Sequence, residues 1–539
     1  MKLAAAAYSA GLLAFGGALV WSYFSAALQA GLVATVFLVG FACVAAAAGR
    51  AVLRHAGPAG LGELEKNVVG ATLGLGLLAT TVFALAALGL LRPWAIALAL
   101  VLSIALSFSD LRDMIAAFRP REPGLAGAAL GLLLALALWT AWVPPHQYDA
   151  LVYHLPLPAA YLRTGRLLNL EHLIYSHFPQ NAEMLFALGL STGSELLPQL
   201  LSWFATALSV GWVFTQAKGR VSPKTAWLAS LIVASHASVM ILAGTAYVEA
   251  FVMLWLTAAV LSWVRGIETQ EARGRRAWLM LAGVFAGLAV GTKYTAGICA
   301  ASLAIFSLVR WMQKKADESE PLLFAIPAAI CGAPWLIKNW ILLGNPVFPF
   351  LFRQLPHRGV AWGAENADRY FHFLTEYGHQ PGHFWSDLLS LPYRASFGAV
   401  NLGGGMDVIG TLGWAVLFAL MPLAAWAAIR DRKLGWIGLY CLIHSTVWFS
   451  TVVVLRFLTA IVPLVALVGA AGFFRLTEMA GSRAKPALWA GLGTLLACNL
   501  ALFLCVHTIV SSWRPLLGLE SREAFLSRML DYYPCASWA

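Results

Sequence analysis

The stretch FLTAIVPLVALVGAAGFF, residues 457–474, decides the class of this protein, because it contains no charged side chain over almost the length of a membrane-spanning helix. A helix of about 20 apolar residues crosses the hydrocarbon core of a bilayer. Arg456 and Arg475 stand at its two ends, and long basic side chains at such positions reach the boundary between membrane and water. The stretch therefore predicts a transmembrane helix that begins beside Arg456.

The rest of the chain has the same character. Of its 539 residues, 60% are hydrophobic and only 11% are charged, and the mean hydropathy is +0.75. An average soluble domain has about 25% charged residues, so a soluble protein of this composition could not bury its apolar surface. Intrinsic disorder and a small disulfide scaffold are excluded by the same figures. We therefore predict an all-α polytopic membrane protein.

Apolar runs of spanning length recur along the chain, and we count about fifteen of them by the length criterion. They lie near 3–24, 30–48, 68–91, 93–109, 124–143, 197–217, 225–242, 248–264, 277–292, 295–310, 321–341, 409–429, 434–454, 457–474 and 487–508.

The net charge of +11 indicates how the chain is oriented in the membrane. When the N-terminus is placed in the cytoplasm, the whole basic excess falls in the loops on the cytoplasmic side, as expected for loops that collect Lys and Arg. Two long segments then lie outside, at 144–198 and 351–408, and they hold most of the histidines. Apolar residues at helical spacing in the first of these segments, such as Met184, Leu185 and Leu188, predict short amphipathic helices on the membrane surface, and we expect such helices in both segments.

This topology divides the chain into five predicted parts. They are an N-terminal transmembrane module at 1–143, a core at 144–350 that includes the first outer loop at 144–198, a second outer loop at 351–408, C-terminal transmembrane helices at 409–510, and an outer tail at 511–539. The seven cysteines show no CxxC or Cys/His metal spacing. We therefore expect no cofactor, and a bound divalent metal ion stays an unsupported alternative.

The strongest local feature is HQYDALVYHLP at 146–156, which begins where the fifth predicted helix leaves the membrane. Asp149 stands there among aromatic residues, and a carboxylate at such a boundary can act as a general base. Tyr148, Tyr153 and His154 are candidate substrate contacts. The structural alternatives are that Asp149 caps a short helix and that His154 bonds to the backbone.

Two further acids are candidates. Glu183 follows a proline in FPQNAE at 178–183, where it could bind substrate or simply favour the first turn of a helix. Glu249 stands in GTAYVEAF at 244–251, at the outer end of an apolar helix. Acids at membrane depth are costly and usually functional, although Glu249 could also reach the interface with no further role.

Candidate cations lie at the same predicted boundary. Lys293 and Tyr294 occur in GTKYT at 291–295, and Arg456 begins the span quoted above. Both cations could bind a phosphate, or extend to the interface as isolated charges. Asn345, in GNPVFP at 344–349, could contact substrate but is equally typical of a helix terminator.

The agreement among these sites is the main functional argument. Asp149, Glu249, Lys293 and Arg456 are far apart in sequence, yet the predicted topology places all four at one membrane boundary. Two carboxylates and two cations in that position suit a reaction on a phosphate-linked lipid donor.

At these residues the chain resembles the polytopic glycosyltransferases of the GT-C fold. The resemblance is to the branch with the dolichyl-phosphate-mannose protein mannosyltransferases, the aminoarabinose lipid A transferase and the Rgt-type bacterial lipopolysaccharide transferases. It covers about 148–350 and 456–463 through the motifs quoted above, and GLESREAFL at 518–526 is also similar.

The resemblance implies a multi-helix GT-C-like bundle in a bacterial inner membrane and an inverting sugar transfer outside the cytoplasm. Asp149 would be the catalytic base for an acceptor hydroxyl on a glycan, lipid or protein. Lys293 and Arg456 would stabilise the departing polyprenyl phosphate, and Glu249 would orient the acceptor or sugar. Many family members have Glu after the first-loop Asp, whereas Ala150 stands here, which makes a metal-binding site less expected.

Three other functions compete with this interpretation. A transporter or flippase of lipid-linked sugars would have charges along a cavity at the membrane midplane, whereas the notable charges here lie at one face. An O-antigen polymerase or ligase would share the large outer loop but normally lack the first-loop Asp. A non-catalytic scaffold is the remaining alternative.

Overall fold

The computed structural model describes residues 24–119, 122, 124–376, 382–397 and 411–533. Within these ranges only the backbone is described for 374–376, 396–397 and 411–416. The predicted span at 3–24 lies outside the described residues except for its last residue. Parts of the second outer loop and the end of the tail lie outside them as well.

Every regular element in the described part of the chain is helical. The α-helices are Ala26–Ala56, Glu63–Ala87, Pro93–Leu106, Phe108–Ala117, Leu125–Thr140, Pro156–Thr164, Asn181–Leu190, Leu197–Arg220, Pro223–Ser235, Ala237–Ala243, Glu249–Glu268, Ala272–Val290, Gly297–Met312, Ser319–Leu343, Ala364–Glu376, Phe384–Phe397, Thr411–Arg430, Arg432–Ser450, Val462–Met479, Ala484–Val510, Trp513–Leu516 and Arg522–Met529. Ala150–His154 forms a π-helical turn, and Ile174–His177, Tyr294–Ala296 and Leu455–Ile461 are 3₁₀ turns.

The all-α prediction is confirmed, but the count of about fifteen spans is not. Among the described residues, eight helices are long and apolar enough to cross a membrane, or ten if two bent pairs each count as one span. The bent pairs break by 68° near Ser107 and by 67° near His236. Other predicted spans fall short for local reasons. Leu125–Thr140 has only 16 residues, and Ala272–Val290 has three arginines among its first five residues.

Two spans form the centre of the bundle. Every residue of Glu249–Glu268 from Glu249 to Val264 is buried, and the span Leu455–Met479 is buried to the same extent. A helix that is apolar on all sides is stable only when other helices surround it. Glu249–Glu268 pairs with Ala272–Val290, which in turn packs against Ser319–Leu343. The side chains at the ends of these helices are therefore fixed by the core.

The first outer loop is folded into the protein, which corrects part of the sequence prediction. We expected Met184, Leu185 and Leu188 to lie on an amphipathic helix at the membrane surface. Instead, Asn181–Leu190 is buried from Asn181 to Gly189, between Glu63–Ala87 and Leu197–Arg220. The physical reason is that this helix is apolar on almost every side, so that no face is left for water.

Asn181 attaches this buried helix to the core. Its backbone N–H donates to the Gly291 carbonyl at 2.9 Å, and its side-chain amide donates to the Leu288 carbonyl at 3.0 Å. The Trp335 indole donates to the Asn181 side-chain oxygen at 2.8 Å. These contacts hold the loop against Ala272–Val290 and Ser319–Leu343.

Helices also form in the second outer loop, while their place at the membrane surface stays a prediction. Ala364–Glu376 buries Ala367, and Phe384–Phe397 leaves Trp385 and Leu389 72% and 82% exposed. Large apolar side chains left exposed on one face are typical of a helix that lies in a membrane interface.

In the N-terminal module, Ala26–Ala56 and Glu63–Ala87 pack with their backbones close together. A Cβ atom at Gly49 would collide with the Gly70 carbonyl, and one at Gly74 would collide with the Ala45 carbonyl. Small residues allow this close approach in membrane helix pairs, where van der Waals packing replaces the hydrophobic effect.

We expect Gly49→Ala to destabilise the protein by about 1–3 kcal/mol, because the added methyl group forces the two backbones apart. Gly40→Ala, on the same helix, is the matched control, since a Cβ at Gly40 meets nothing within 4 Å. Thermal unfolding in detergent measures both. Equal transition temperatures for the two variants would show that the close packing is unimportant.

Candidate active site

Arg456 and Asp149 form the central contact of the site. The guanidinium Nη2 of Arg456 donates to the Asp149 carboxylate at 2.6 Å, although the residues are 307 positions apart. Both side chains are 14% exposed, so water reaches the pair from one side only. A bond between an ionised donor and an ionised acceptor in such a setting is stronger than one at an open surface.

Glu249 extends this contact to a second cation. Its Oε1 atom lies 2.8 Å from the ammonium of Lys293 and 3.4 Å from Nε of Arg456. Asp149, Arg456, Glu249 and Lys293 thus form one continuous set of alternating charges, called here the charge cluster. The structure brings these four predicted residues together, while their place at a membrane boundary and their chemical roles stay predictions.

Aromatic rings form the wall of the charge cluster. The Lys293 ammonium lies 3.7 Å from the centre of the Phe457 ring, and the Arg456 guanidinium lies 5.2 Å from the centre of the Tyr247 ring. The backbone N–H of Asp149 donates to the Tyr247 hydroxyl at 3.3 Å. Cations are attracted to ring faces, so these rings restrict where the two cations can point.

The ends of helices place each charged group. Asp149 directly precedes the π-helical turn, and Glu249 is the first residue of its helix. Lys293 lies between Ala272–Val290 and the 3₁₀ turn at Tyr294–Ala296, and Arg456 lies in the 3₁₀ turn that leads into Val462–Met479. Helix ends bring polar groups from distant parts of the chain to one face of a bundle while the apolar helices stay in contact.

A second buried pair lies beside the cluster. Nδ1 of His154 is 2.7 Å from Oε1 of Glu183, and the two side chains are 5% and 4% exposed. His154 therefore bonds to a carboxylate and not to the backbone. Next to it, the Tyr153 ring stacks on Tyr175 with centres 4.1 Å apart. Burial raises the pKa of the Tyr153 hydroxyl well above its usual value, and Asp149 adds to this, so Tyr153 stays a neutral hydrogen-bond donor.

The structure adds polar residues that were not among the predicted substrate contacts. Lys338 is buried within a transmembrane helix and donates to the Ser176 carbonyl at 2.7 Å. Asn339 donates to the His177 carbonyl at 2.6 Å and to the Tyr294 hydroxyl at 3.1 Å. A lysine inside an apolar run is a recognisable signal of function, and it could have identified Lys338.

His177 is a further missed residue. Neither of its ring nitrogens has a hydrogen-bond partner among the described residues. Burial lowers the pKa of His177 to about 3, with a smaller contribution from the Lys338 charge. The ring is therefore neutral at physiological pH and has both a free donor and a free acceptor.

Two other predicted contacts take no part in the contacts of the charge cluster. Tyr148 is 70% exposed, so it can meet only a ligand that covers this surface. The side-chain amide of Asn345 donates to the Phe350 carbonyl at 2.8 Å, and its oxygen accepts from the Val347 N–H at 3.0 Å. These bonds give Asn345 a structural role in its turn, and its role in substrate binding stays a prediction.

The expected lack of a bound metal ion also stays a prediction. In the part of the chain that the structure describes, no group of three or more His, Cys, Asp or Glu side chains could hold one. A biochemical experiment is needed to test whether the protein works without a metal ion.

A family profile supports the functional interpretation for part of the chain. Residues 177–361 match the family described as dolichyl-phosphate-mannose-protein mannosyltransferase. The match covers about a third of the chain. It includes Glu183, Glu249 and Lys293, whereas Asp149 and Arg456 lie outside it.

Two curated relatives have the same described activity. Undecaprenyl phosphate-alpha-4-amino-4-deoxy-L-arabinose arabinosyl transferase from Enterobacter sp. (strain 638) is 25% identical over 302 residues, which cover 54% of this chain and 48% of the relative. The protein of that name from Edwardsiella ictaluri (strain 93-146) is 27% identical over 230 residues, or 41% of this chain and 40% of the relative. The chain thus spans about half the length of these relatives or less.

Two solved structures align with about three quarters of this chain. ArnT from Cupriavidus metallidurans bound to undecaprenyl phosphate aligns with a TM-score of 0.48 and 15% identity, over 76% of this chain and 75% of that one. The Archaeoglobus fulgidus oligosaccharyltransferase aligns with a TM-score of 0.40 and 14% identity, over 75% and 56%. Over part of its length, this chain is therefore similar to a family of protein mannosyltransferases and to two arabinosyl transferases.

Proposed function

We propose that this protein transfers a sugar from a polyprenyl-phosphate donor to an acceptor hydroxyl on the extracytoplasmic side of a bacterial inner membrane. Asp149 removes the acceptor proton, and the acceptor oxygen forms a bond to the anomeric carbon. The bond from that carbon to the phosphate oxygen breaks, and the polyprenyl phosphate leaves with the electron pair. Attack from the face opposite the leaving group inverts the anomeric centre.

The observation that carries this proposal is the direct contact between Arg456 and Asp149. A transferase of this kind needs a base for the acceptor beside a cation for the leaving phosphate. Arg456 and Asp149 provide both at 2.6 Å, and Lys293 supplies a second cation through Glu249. The described activity of the curated relatives supports an undecaprenyl-phosphate-linked donor.

Donor binding changes the partner of Arg456. A lipid phosphate that enters beside Lys293 and Arg456 competes with Asp149 for the guanidinium, since phosphate and carboxylate both fit its two-pronged donor geometry. Asp149 is then released for the acceptor only when a donor is present. Glu249 keeps its buried position and holds both cations in place, and charged groups fixed in advance stabilise the negative charge that develops on the leaving oxygen.

The His154–Glu183 pair has a positioning role in this proposal. It lies beneath Tyr153, which is close enough to the cluster for the Asp149 charge to affect it. A buried, bonded histidine fixes the tyrosine ring beside it. The sugar of the donor can then pack against Tyr153 and Tyr175.

We expect Asp149→Asn to reduce sugar transfer by about 10²–10⁴-fold, since an amide cannot accept the proton from the acceptor. The measurement is transfer from radiolabelled undecaprenyl-phosphate-linked sugar in membranes. Asp368→Asn is the control, because Asp368 is an exposed acid paired with Arg353 in the second outer loop. Full activity in Asp149→Asn would remove Asp149 as the base.

We expect Arg456→Lys to weaken the donor interaction by about 10–100-fold while the protein stays folded. Lysine keeps the charge, but it has no planar fork to contact phosphate and Glu249 together. The KM for the donor and the binding of undecaprenyl phosphate report this loss. Arg353→Lys, which changes an exposed arginine, is the control. An unchanged donor KM would contradict the phosphate role of Arg456.

The proposed orientation is tested by cysteine labelling with a membrane-impermeant maleimide, in a background without the seven native cysteines. Glu365→Cys and Arg369→Cys, at exposed polar positions in the second outer loop, should react in intact cells. Lys314→Cys and Lys433→Cys should react only after the membrane is opened. The reverse pattern would place the charge cluster in the cytoplasm and contradict the proposed location of the reaction.

A further inference from the structure

A second site lies at the end of the bundle opposite the charge cluster. Val462–Met479 begins just after Arg456 and extends about 27 Å at the helical rise per residue. Near its far end a groove of about 540 Å³ opens between this helix, Pro223–Ser235 and the start of Ala484–Val510. The groove therefore lies one membrane thickness away from the proposed reaction.

Each of the three helices contributes one face to the groove. The residues are spaced three or four apart, which places them on one side of each helix. They are Lys224, Trp227, Leu228 and Leu231 from the first helix, Phe474, Thr477 and Glu478 from the second, and Lys485 and Trp489 from the third.

The side chains that line the groove change from charged to aromatic to aliphatic along its length. On Pro223–Ser235, the order is Lys224, then Trp227, then Leu231, over about 10 Å. On Ala484–Val510, Lys485 is followed one turn later by Trp489. Charge at the helix end, then an aromatic ring, then a leucine is the order of phosphate, interface and acyl chain in a phospholipid.

The two cations of the groove are available for a ligand. Neither the Lys224 nor the Lys485 ammonium has a hydrogen bond or ion pair among the residues that the structure describes. Glu478 is the one carboxylate in the groove lining, and it leaves the lining with a net charge of +1. An anionic group would therefore be attracted there.

The aromatic walls are held in place. The Trp489 ring meets Phe473 and Phe474 edge-on, with ring centres 4.9 and 5.7 Å apart. The Trp227 ring contacts Phe214 at 4.7 Å. Rings fixed by such contacts keep the groove open between the helices.

We propose that this groove binds the headgroup of an anionic glycerophospholipid. The Lys224 and Lys485 ammoniums contact the phosphate, Glu478 accepts hydrogen bonds from headgroup hydroxyls, and Trp227 and Trp489 lie at the glycerol level. Basic pockets between transmembrane helices bind anionic headgroups in this way. The apolar end at Leu228 and Leu231 favours a lipid over a free phosphate ion, and this site does not depend on the proposed sugar transfer.

The test compares the full chain with Lys224→Gln/Lys485→Gln in nanodiscs of phosphatidylcholine that contain 20% phosphatidylglycerol. Native mass spectrometry counts the phosphatidylglycerol molecules that stay bound after the protein is released from the nanodisc. We expect about thirtyfold weaker retention in the double variant, because each lysine near an anionic headgroup contributes about 1 kcal/mol. Lys224→Arg/Lys485→Arg should keep retention within about threefold of the full chain.

Lys314→Gln/Lys433→Gln is the matched control, since it removes the same charge from exposed lysines outside the groove. Equal loss in this control and in the groove variant would overturn the proposed site. Equal retention of phosphatidylcholine, relative to its share of the nanodisc lipid, would overturn the anionic specificity. Displacement of the lipid by inorganic phosphate alone would show that the groove binds a free ion.

Discussion

The site depends on one shared side chain, Arg456, which contacts Asp149 and Glu249 together. These contacts bring three distant parts of the chain to a single point, and Lys293 adds a fourth. Glu249 and Arg456 belong to the two most buried spans, so the core of the bundle fixes their positions. Removal of one partner from a buried ion pair costs about 3–5 kcal/mol, which makes the arrangement mutually dependent.

The four charges of the cluster could be predicted from sequence because a charged residue at the end of an apolar run has few structural explanations. Each of Asp149, Glu249, Lys293 and Arg456 stands at such a position. The helical class could be predicted because 60% of the residues are hydrophobic and only 11% are charged, as in a polytopic membrane protein. The number of spans could not be predicted equally well, since hydropathy does not distinguish a straight helix from one that bends at Ser107 or His236.

The remaining parts of the site could be identified only from the structure. Tyr247 and Phe457 line the cluster, yet aromatic residues are 12% of the chain, so their presence gives no signal. Glu183 has its partner 29 residues away in His154, and spacing alone favoured a helix-dipole role. The buried helix Asn181–Leu190 was expected at the membrane surface, because the sequence of a loop between two spans does not show how deeply that loop packs into the protein.

The charge cluster contains two carboxylates and two cations, so its net charge is zero when all four groups are ionised. Its net charge has a consequence for turnover if the proposed reaction holds. The donor phosphodiester carries one negative charge, whereas the released lipid phosphate carries up to two at neutral pH. The two cations would then hold the spent carrier more tightly than the fresh one. The lipid would then leave more slowly than an unreacted donor, and the membrane's supply of empty carrier would act as an inhibitor.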